Sequence, residues 1–184
     1  MSNSPNFREL ENKYLLNISK AALSRLVRQL KAKTEVPTDY VFAHSVDFYW
    51  DGKTEAQFLR LRNSWGHDGE GKRTLQELTA KSKDRKTNVN RLEINAPVSE
   101  LKLLRKALTV ALGNPTCRLY KKEHVFWMPD RTVISLCKVR SQWYLEVESN
   151  SVARLEKWHR FLCKLPTVFQ MTNEPRSLYE IYAK

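Results

Sequence analysis

Charged side chains occupy alternate positions in several short segments of the chain, and largely apolar side chains fill the positions between them. The first such segment, 8–16, carries Glu9, Glu11 and Lys13 at every second position. Because successive side chains of a β-strand point to opposite faces, these three share one face. The pattern therefore predicts a strand that has one ionic face and one more apolar face.

The same alternation recurs in four further segments along the chain. Their charged pairs are Arg60 and Arg62, Lys81 and Lys83, Arg91 and Glu93, and Glu146 and Glu148. A simple β-sandwich also alternates, with its charges facing outward, so alternation alone leaves the architecture open. The acidic pairs lie near both ends of the chain and the basic pairs lie between them. If these ionic faces lined the inside of a closed barrel, acids and bases would meet in one tunnel.

Apolar residues at helical spacing and the turn residues around them supply the other elements. Helices are predicted over 20–32, 98–112 and 151–164, with a short helix after Pro175. Further strands are predicted over 41–51, 55–63, 73–83, 90–96, 116–128, 131–140 and 142–148. The glycine-rich loop at 66–71 lacks the Gly-Lys-Ser/Thr ending of a phosphate-binding P-loop, so we interpret it as a hairpin loop. The sequence thus predicts an α+β fold of about eight strands in one domain, 1–184.

Composition narrows the classes of partner. The chain has 32 basic and 20 acidic residues, a net charge of +12, which favours a polyanionic partner such as a nucleotide, a nucleic acid or an anionic membrane. No apolar run approaches the ~20 residues that a membrane helix needs, so no membrane partner is expected. Three widely spaced cysteines without a C-x-x-C pair, and a start without signal-peptide features, favour the reducing cytoplasm. Nucleic-acid binding through a basic surface stays open.

The ordered charges resemble a known family. Glu9, Glu11 and Lys13 match the E-x-E-x-K signature of the CYTH proteins, the triphosphate tunnel metalloenzymes, which include class IV adenylyl cyclases, thiamine triphosphatases and inorganic triphosphatases. Further segments resemble the family's motifs in the family's order: 47–51 (D-x-Y-x-D), 59–62 (L-R-x-R), 78–81 (L-T-x-K), 91–93 (R-x-E), 146–148 (E-x-E) and 177–181 (S-Y-x-x-L). The resemblance implies a closed eight-stranded antiparallel β-barrel with surrounding helices.

The resemblance also implies roles for the residues inside these motifs. Glu9, Glu11 and Lys13 are the expected catalytic residues. The expected ligands of Mg²⁺ or Mn²⁺ are Glu9, Glu11, Glu93, Glu146 and Glu148. The expected phosphate-binding residues are Lys13, Arg60, Arg62, Lys81, Arg91 and Lys122, with Lys121, Lys138 and Arg140 as weaker candidates. Carboxylate ligands suit hard cations rather than zinc, and arginines suit bidentate contact with phosphate oxygens.

The chain departs from the family pattern at two positions. Asn95 stands where many members have a second acid after R-x-E, and Cys137 falls where an aspartate is usual. These changes affect a second metal site more than the first. The leading prediction is metal-dependent hydrolysis of inorganic triphosphate, a nucleoside triphosphate or thiamine triphosphate. The alternatives are cyclisation of ATP to cyclic AMP and pyrophosphate, and non-catalytic binding of a nucleotide or an RNA 5′ end.

Overall fold

The structure is a computed structural model that describes residues 7–52, 56–82, 90–165 and 169–183. Within these ranges the chain forms strands and helices that alternate irregularly, plus one 3-10 turn at Pro37–Asp39. The strands are β1 (Phe7–Ile18), β2 (Tyr40–Asp51), β3 (Ala56–His67), β4 (Lys72–Ser82), β5 (Asn90–Pro97), β6 (Cys117–Trp127), β7 (Val133–Val139), β8 (Gln142–Ser149) and β9 (Phe169–Asn173). The helices are α1 (Lys20–Lys31), α2 (Leu101–Leu112), α3 (Val152–Lys164) and α4 (Leu178–Tyr182).

The described strands form one antiparallel sheet in the order β5-β4-β3-β2-β6-β7-β8-β1-β9. One edge of β1 pairs with β8. The other edge is shared, because its first residues pair with β5 and its last residues pair with β9. The pairing of β1 with β5 joins the next-to-last strand of this order to the first strand. The α+β class is confirmed.

The predicted number of strands was too low. β9 was missed, since Phe169–Asn173 is short and carries no clear alternation of charged and apolar residues. It forms a strand because β5 covers only residues 7–10 of the shared edge and leaves residues 14–18 of β1 for another partner. Tertiary pairing, rather than local sequence, creates this strand.

The apolar face of the sheet packs under three helices. α1 and α3 cover the largest core cluster, in which Leu16, Phe126 and Leu145 of the sheet meet Leu26 and Leu162 of the helices. α2 lies over a second cluster around Phe48, Trp50 and Leu61. Each such side chain, once buried, contributes roughly 1.5–3 kcal/mol. Burial of this face leaves the charged side chains on the opposite face, here called the inner face.

Helix α4 packs on the inner face instead. Its Tyr179 ring lies 5.5 Å from the ring of Tyr49 and 5.1 Å from that of Phe58, and Leu178 is buried in the same cluster. Ser177 begins the helix with a capping box, in which its hydroxyl accepts from the Glu180 amide and the Glu180 carboxylate accepts from the Ser177 amide. One end of the inner face is therefore apolar and covered by α4.

The predicted helix boundaries agree with the structure to within three residues, and the strand boundaries agree except in β3. That strand continues to His67 rather than ending at residue 63, because β4 pairs with it as far as Lys72. Across the described residues, every helix is too short or too polar to cross a membrane.

Candidate functional site

Charged side chains from seven strands, all largely buried, meet on the inner face. We call this set the inner cluster. Its members are Glu11, Lys13, Asp47, Arg60, Arg62, Glu77, Lys81, Glu93, Lys121, Glu123 and Glu146. Each of these side chains is one-fifth exposed or less. Strand alternation and the antiparallel register place them side by side, with Lys13 opposite Glu146 and Lys81 opposite Glu93.

Glu11 lies between two lysines. Lys13 Nζ is 2.7 Å from Glu11 Oε1, and Lys81 Nζ is 3.4 Å from Glu11 Oε2. Burial opposes ionisation of this carboxyl, but Lys13 and Lys81 outweigh it and lower the pKa of Glu11 to about 2. Lys13 also contacts Glu146 Oε1 at 3.2 Å, and Lys81 contacts Glu93 Oε2 at 3.1 Å. The two lysines therefore connect carboxylates of β1, β5 and β8.

Asp47 is the most enclosed acid of the cluster, with no exposed surface. Arg62 donates to its carboxylate through Nε at 2.9 Å and Nη2 at 3.0 Å, and Lys121 Nζ lies 2.9 Å away. The Tyr49 hydroxyl donates to the same carboxylate at 3.2 Å. Burial disfavours its charged form, yet Arg62 and Lys121 hold the pKa of Asp47 well below its usual range. Lys121 in turn lies 2.7 Å from Glu123 Oε1.

Arg60 keeps a free hydrogen-bond donor inside the cluster. Its Nη2 donates to Thr79 Oγ1 at 2.8 Å and lies 3.6 Å from Glu77 Oε1 and 3.7 Å from Glu93 Oε1. Its Nε is buried and has no hydrogen-bond partner among the residues that the structure describes. A buried donor without an acceptor is unusual in a folded protein, and an unseen anion is one explanation for it.

Glu11 and Glu148 face each other directly across the β1–β8 pair. Glu148 lies two residues from Glu146 on the same strand, so the two glutamates share the inner face. Like charges directly opposite one another destabilise a sheet unless a cation lies nearby. The backbone register therefore brings a carboxylate of the inner cluster, Glu11, opposite a second carboxylate, Glu148.

The structure brings together most of the residues that the sequence predicted. Glu11, Lys13, Arg60, Arg62, Lys81, Glu93 and Glu146 all belong to the inner cluster. Glu9 and Arg91 are register partners across β1 and β5. Their side chains, like residue Lys83, lie outside the described residues.

Lys122 does not join the cluster. It lies one position out of phase with buried Lys121, on the opposite face of β6, and its side chain is exposed. Lys138 likewise lies on the outer side, 5.9 Å from the Trp143 ring centre, and the Arg140 guanidinium lies over the Tyr182 ring. The prediction that Lys122 belongs to the charged site is therefore wrong in its placement, because Lys121 occupies the inner-face position instead.

Three members of the cluster were absent from the predicted site residues: Asp47, Glu77 and Glu123. Lys121 was predicted only as a weaker candidate. Alternation could have found two of them, because Glu77 lies two residues before Thr79 on the same face as Lys81, and Glu123 lies two residues after Lys121. Asp47 belongs to the segment 47–51, which resembles the D-x-Y-x-D motif, but the sequence alone assigned this residue no role in the site.

The two departures from the family pattern have different surroundings. Asn95 is exposed, accepts a hydrogen bond from Thr79 Oγ1 at 2.7 Å and donates to Glu93 Oε1 at 3.0 Å. Cys137 is fully buried opposite Glu123 and Tyr144, and burial raises the pKa of its thiol. Cys137 is therefore a neutral side chain at ordinary pH and adds no charge to the cluster.

Carboxylate oxygens are the donors that Mg²⁺ and Mn²⁺ prefer, and the inner cluster supplies them. Within the described ranges, no three acidic, histidine or cysteine side chains converge closely enough to hold a metal ion by themselves. Mg²⁺ does not need such a cage, because one or two carboxylates suffice when substrate phosphates provide further ligands. The opposed Glu11 and Glu148 meet that lower requirement, so the donor set fits a cation bound together with phosphate.

The sequence matches no family model, and no curated protein sequence matches it. Several solved structures match along almost the whole chain. PH1819 of Pyrococcus horikoshii OT3 has a TM-score of 0.66 and 19% identity, over 94% of this chain and 97% of that chain. A candidate adenylate cyclase of Vibrio parahaemolyticus has a TM-score of 0.63 and 18% identity, over 95% of this chain and 97% of that chain.

A third similar structure is HpAC1 from Hippeastrum, a candidate adenylyl cyclase described as having a dominant triphosphatase activity. Its TM-score is 0.59 at 11% identity, over 95% of this chain and 94% of that chain. Identities this low establish a shared fold. The resemblance to the CYTH family predicted such neighbours, and the comparison confirms it at the level of the fold.

Proposed function

We propose that this protein is a CYTH-type triphosphatase that binds a small-molecule triphosphate on its inner cluster. The observation that carries the proposal is the convergence of five buried bases from four strands: Lys13, Arg60, Arg62, Lys81 and Lys121. A triphosphate carries about four negative charges, so several cations must approach it from different directions. The pairing of β1 with β5 supports a sheet that encloses this cluster as a tunnel.

Arg60 and Arg62 are the residues that we propose bind the phosphate chain. Arg60 Nε is a buried donor with no acceptor among the described residues, and a phosphate oxygen would supply one. Its contacts with Glu77 and Glu93, at 3.6 and 3.7 Å, are long enough for a phosphate to replace them. Arg62 is already bound at both nitrogens by Asp47, which fixes its guanidinium in position.

Mg²⁺ or Mn²⁺ is the proposed cofactor, with Glu11 and Glu148 as its first protein ligands and Glu146 on the same face. The sequence resemblance adds Glu9 and Glu93 to the expected ligands. Bound there, the cation would supply charge neutralisation and an activated water. Glu11, with a pKa of about 2, is ionised at neutral pH. It is therefore a ligand rather than a proton donor. Lys13 contacts both Glu11 and Glu146, so it holds these carboxylates in place and would contribute positive charge to the phosphates.

Phosphate release from a panel of inorganic triphosphate, ATP, GTP and thiamine triphosphate, with Mg²⁺ or Mn²⁺, tests the proposal. We expect Glu11→Ala and Lys13→Ala to lower the rate at least about a hundredfold, since both groups contact the charge that the reaction rearranges. Lys106→Ala, an exposed change on α2, is the matched control and should leave the rate unchanged. Release that persists in EDTA, or in both inner-cluster variants, would rule the proposal out.

The products separate hydrolysis from the two alternatives. ADP and phosphate from ATP would support the triphosphatase, whereas cyclic AMP and pyrophosphate would favour the cyclase, the activity for which the Vibrio parahaemolyticus neighbour is a candidate. Asn95 and Cys137, which replace expected acids, favour non-catalytic binding of a nucleotide or RNA 5′ end. Saturable calorimetric binding of triphosphate without turnover in either metal would support that third function.

A further inference from the structure

A row of aromatic and basic side chains crosses the outer face of the sheet. We call it the outer row: Trp65, His44, Lys122, Lys138 and Trp143. Each is the direct register partner of the next, on β3, β2, β6, β7 and β8 in turn. With neighbouring strands about 4.8 Å apart, the row extends roughly 19 Å. Trp143 packs at the margin of the cluster that α1 and α3 cover, whereas Trp65 belongs to neither helix-covered cluster.

Rings and cations of the outer row are stacked on one another. Trp65 stacks on His44 with ring centres 6.2 Å apart and planes 13° from parallel, and 45% of its surface is exposed. At the far end Trp143 stacks on His124 at 6.0 Å, and Lys138 Nζ lies over its ring. Beside the row, Tyr120 is 58% exposed and carries the Arg118 guanidinium at 4.5 Å. Rings at both ends of the row therefore flank two adjacent lysines, with Trp65 and Lys122 exposed and Trp143 partly buried.

Acidic residues are segregated away from this surface. The carboxylates of the five strands belong to Asp47, Asp51, Glu123, Glu146 and Glu148, all at inner-face positions of the alternation. The outward positions of these strands carry only basic, aromatic, apolar and uncharged polar side chains. A ligand on the outer row thus meets positive charge without opposing carboxylates from the sheet.

We propose that the outer row binds single-stranded nucleic acid. Aromatic rings on the outer face of a sheet offer stacking platforms for unpaired bases, and lysines between them can contact the connecting phosphates. A duplex keeps its bases stacked inside and would leave Trp65 without a partner. The proposal is independent of the inner cluster, because the two sets of side chains point to opposite faces of the same strands.

Fluorescence anisotropy of labelled oligo(dT) and oligo(rU), titrated at several salt concentrations, tests it. Trp65→Ala should weaken binding about fivefold or more, since stacking one base contributes ~1–3 kcal/mol, whereas Trp65→Phe should retain most of the affinity. The double variant Lys122→Ala/Lys138→Ala should flatten the salt dependence by about 1.4 logarithmic units per decade, about 0.7 for each lost phosphate contact. Comparison of the affinities for oligo(dT) and oligo(rU) shows whether the outer row prefers DNA or RNA.

Matched controls remove the same chemistry from other surfaces. Trp127→Ala deletes a tryptophan of similar exposure, and Lys102→Ala/Lys106→Ala deletes two exposed charges of α2. Both controls, and Lys13→Ala of the inner cluster, should bind oligonucleotide like the wild type. The proposal is overturned by absence of saturable binding, by equal losses in controls and outer-row variants, or by loss only in Lys13→Ala. Outer-row-dependent binding of anionic vesicles or acidic peptides in place of oligonucleotides would also overturn it.

Discussion

Individual acids of the inner cluster differ in how firmly the protein itself holds them. Asp47 has three partners and no exposed surface, so its contacts leave no room for a ligand. Glu11 has two lysine partners and retains 15% of its side-chain surface. Asp47 is therefore a structural anchor that positions Arg62 and Lys121, whereas Glu11 remains available to a cation or a phosphate-bound metal.

Glu11 should make stability depend on pH. Its folded-state pKa of about 2 lies below the ordinary 4.5, so its contribution is complete above about pH 4.5 and is lost as the pH falls toward 2. We expect the free energy of unfolding of the wild type to exceed that of Glu11→Gln by on the order of 3 kcal/mol at pH 6, and by much less at pH 3. Urea titrations at both pH values measure this difference. An equal difference at both would contradict the assignment.

Asp47→Asn should destabilise the fold strongly. The change leaves Arg62 and Lys121 buried beside a neutral amide, and breaking a buried ion pair from one side costs about 3–5 kcal/mol. Asp51→Asn on the same strand is the control, because Asp51 is exposed, and its effect should stay within about 0.5 kcal/mol. Thermal and urea unfolding of both variants provide the comparison. Similar stabilities would show that Asp47 is not an anchor.

For individual residues, the alternation of charged and apolar positions predicts which side chains share a face of a strand. It does not predict which of the two faces becomes the inner face of the sheet. Glu11, Lys13, Arg60 and Arg62 were found because apolar residues alternate with them. In β6 the run Lys121-Lys122-Glu123 has charges on both faces, so alternation could not choose between the lysines. The choice requires the neighbours: Lys121 contacts Asp47, a residue of another strand.

Among the helices and strands, the five-residue helix α4 determines how one end of the inner face is closed. Its apolar side chains fill one end of the inner face, where Tyr49, Phe58 and Tyr144 would otherwise be open. The Tyr144 and Tyr182 hydroxyls lie 2.9 Å apart and join the helix to β8. A helix this short has little stability of its own, so its cap and its packing determine whether it forms.

Ser177→Ala should therefore loosen α4. The hydroxyl caps the Glu180 amide at 3.2 Å, and loss of such a cap costs about 0.5–2 kcal/mol. Ser151→Ala is a matched control, because Ser151 precedes α3 but makes no capping hydrogen bond within the described chain. Amide hydrogen exchange should rise at residues 178–182 in the first variant, with no rise at α3 in the second. Unchanged exchange in α4 would contradict the proposed role of the cap.

Elements with strong periodicity were predictable and those formed by pairing were not. Helices α1 and α3 have apolar stripes that fix their position to within a residue or so. β9 and the last four residues of β3 form strand because a neighbouring strand offers unpaired backbone groups. Such groups are not visible in the local sequence.

For the whole molecule, β1 is the strand that completes the sheet. Its partners β5, β8 and β9 all lie far from it along the chain, whereas β3 pairs with its sequence neighbours β2 and β4. Bringing distant segments together costs loop entropy before any contact forms. We therefore expect β1 to join the sheet late in folding.

Leu16 and Leu61 provide a matched test of this order. Both are almost completely buried, and replacement by alanine should cost each about 2–5 kcal/mol. Leu16→Ala should act mainly by raising the unfolding rate, because β1 contacts form after the transition state, whereas Leu61→Ala should also slow folding. Stopped-flow folding and unfolding rates in urea give both quantities. Slowed folding in Leu16→Ala alone would reverse the proposed order.

The periodicity of the sequence does not predict the order of the strands across the sheet. The placement of Glu11 opposite Glu148, from opposite ends of the chain, requires β1 and β8 to be neighbours. Alternating charges predict neither this pairing nor its register, and only the resemblance to a known family indicated a closed arrangement. The physical reason is that pairing partners are chosen by the packed apolar face as a whole.

The position of α4 has a consequence for the length of the molecules that the inner cluster can accept. A linear phosphate chain that advances along the inner face toward this end meets the rings of Tyr179 and Tyr49. The Tyr49 hydroxyl already donates to Asp47, and neither ring carries the positive charge with which the bases attract phosphate. Under the proposed function, the helix would stop further advance of the phosphate chain at this end. Under the proposed function, a chain would be read from its terminus, and a longer polyphosphate would be shortened stepwise from that end rather than cut internally.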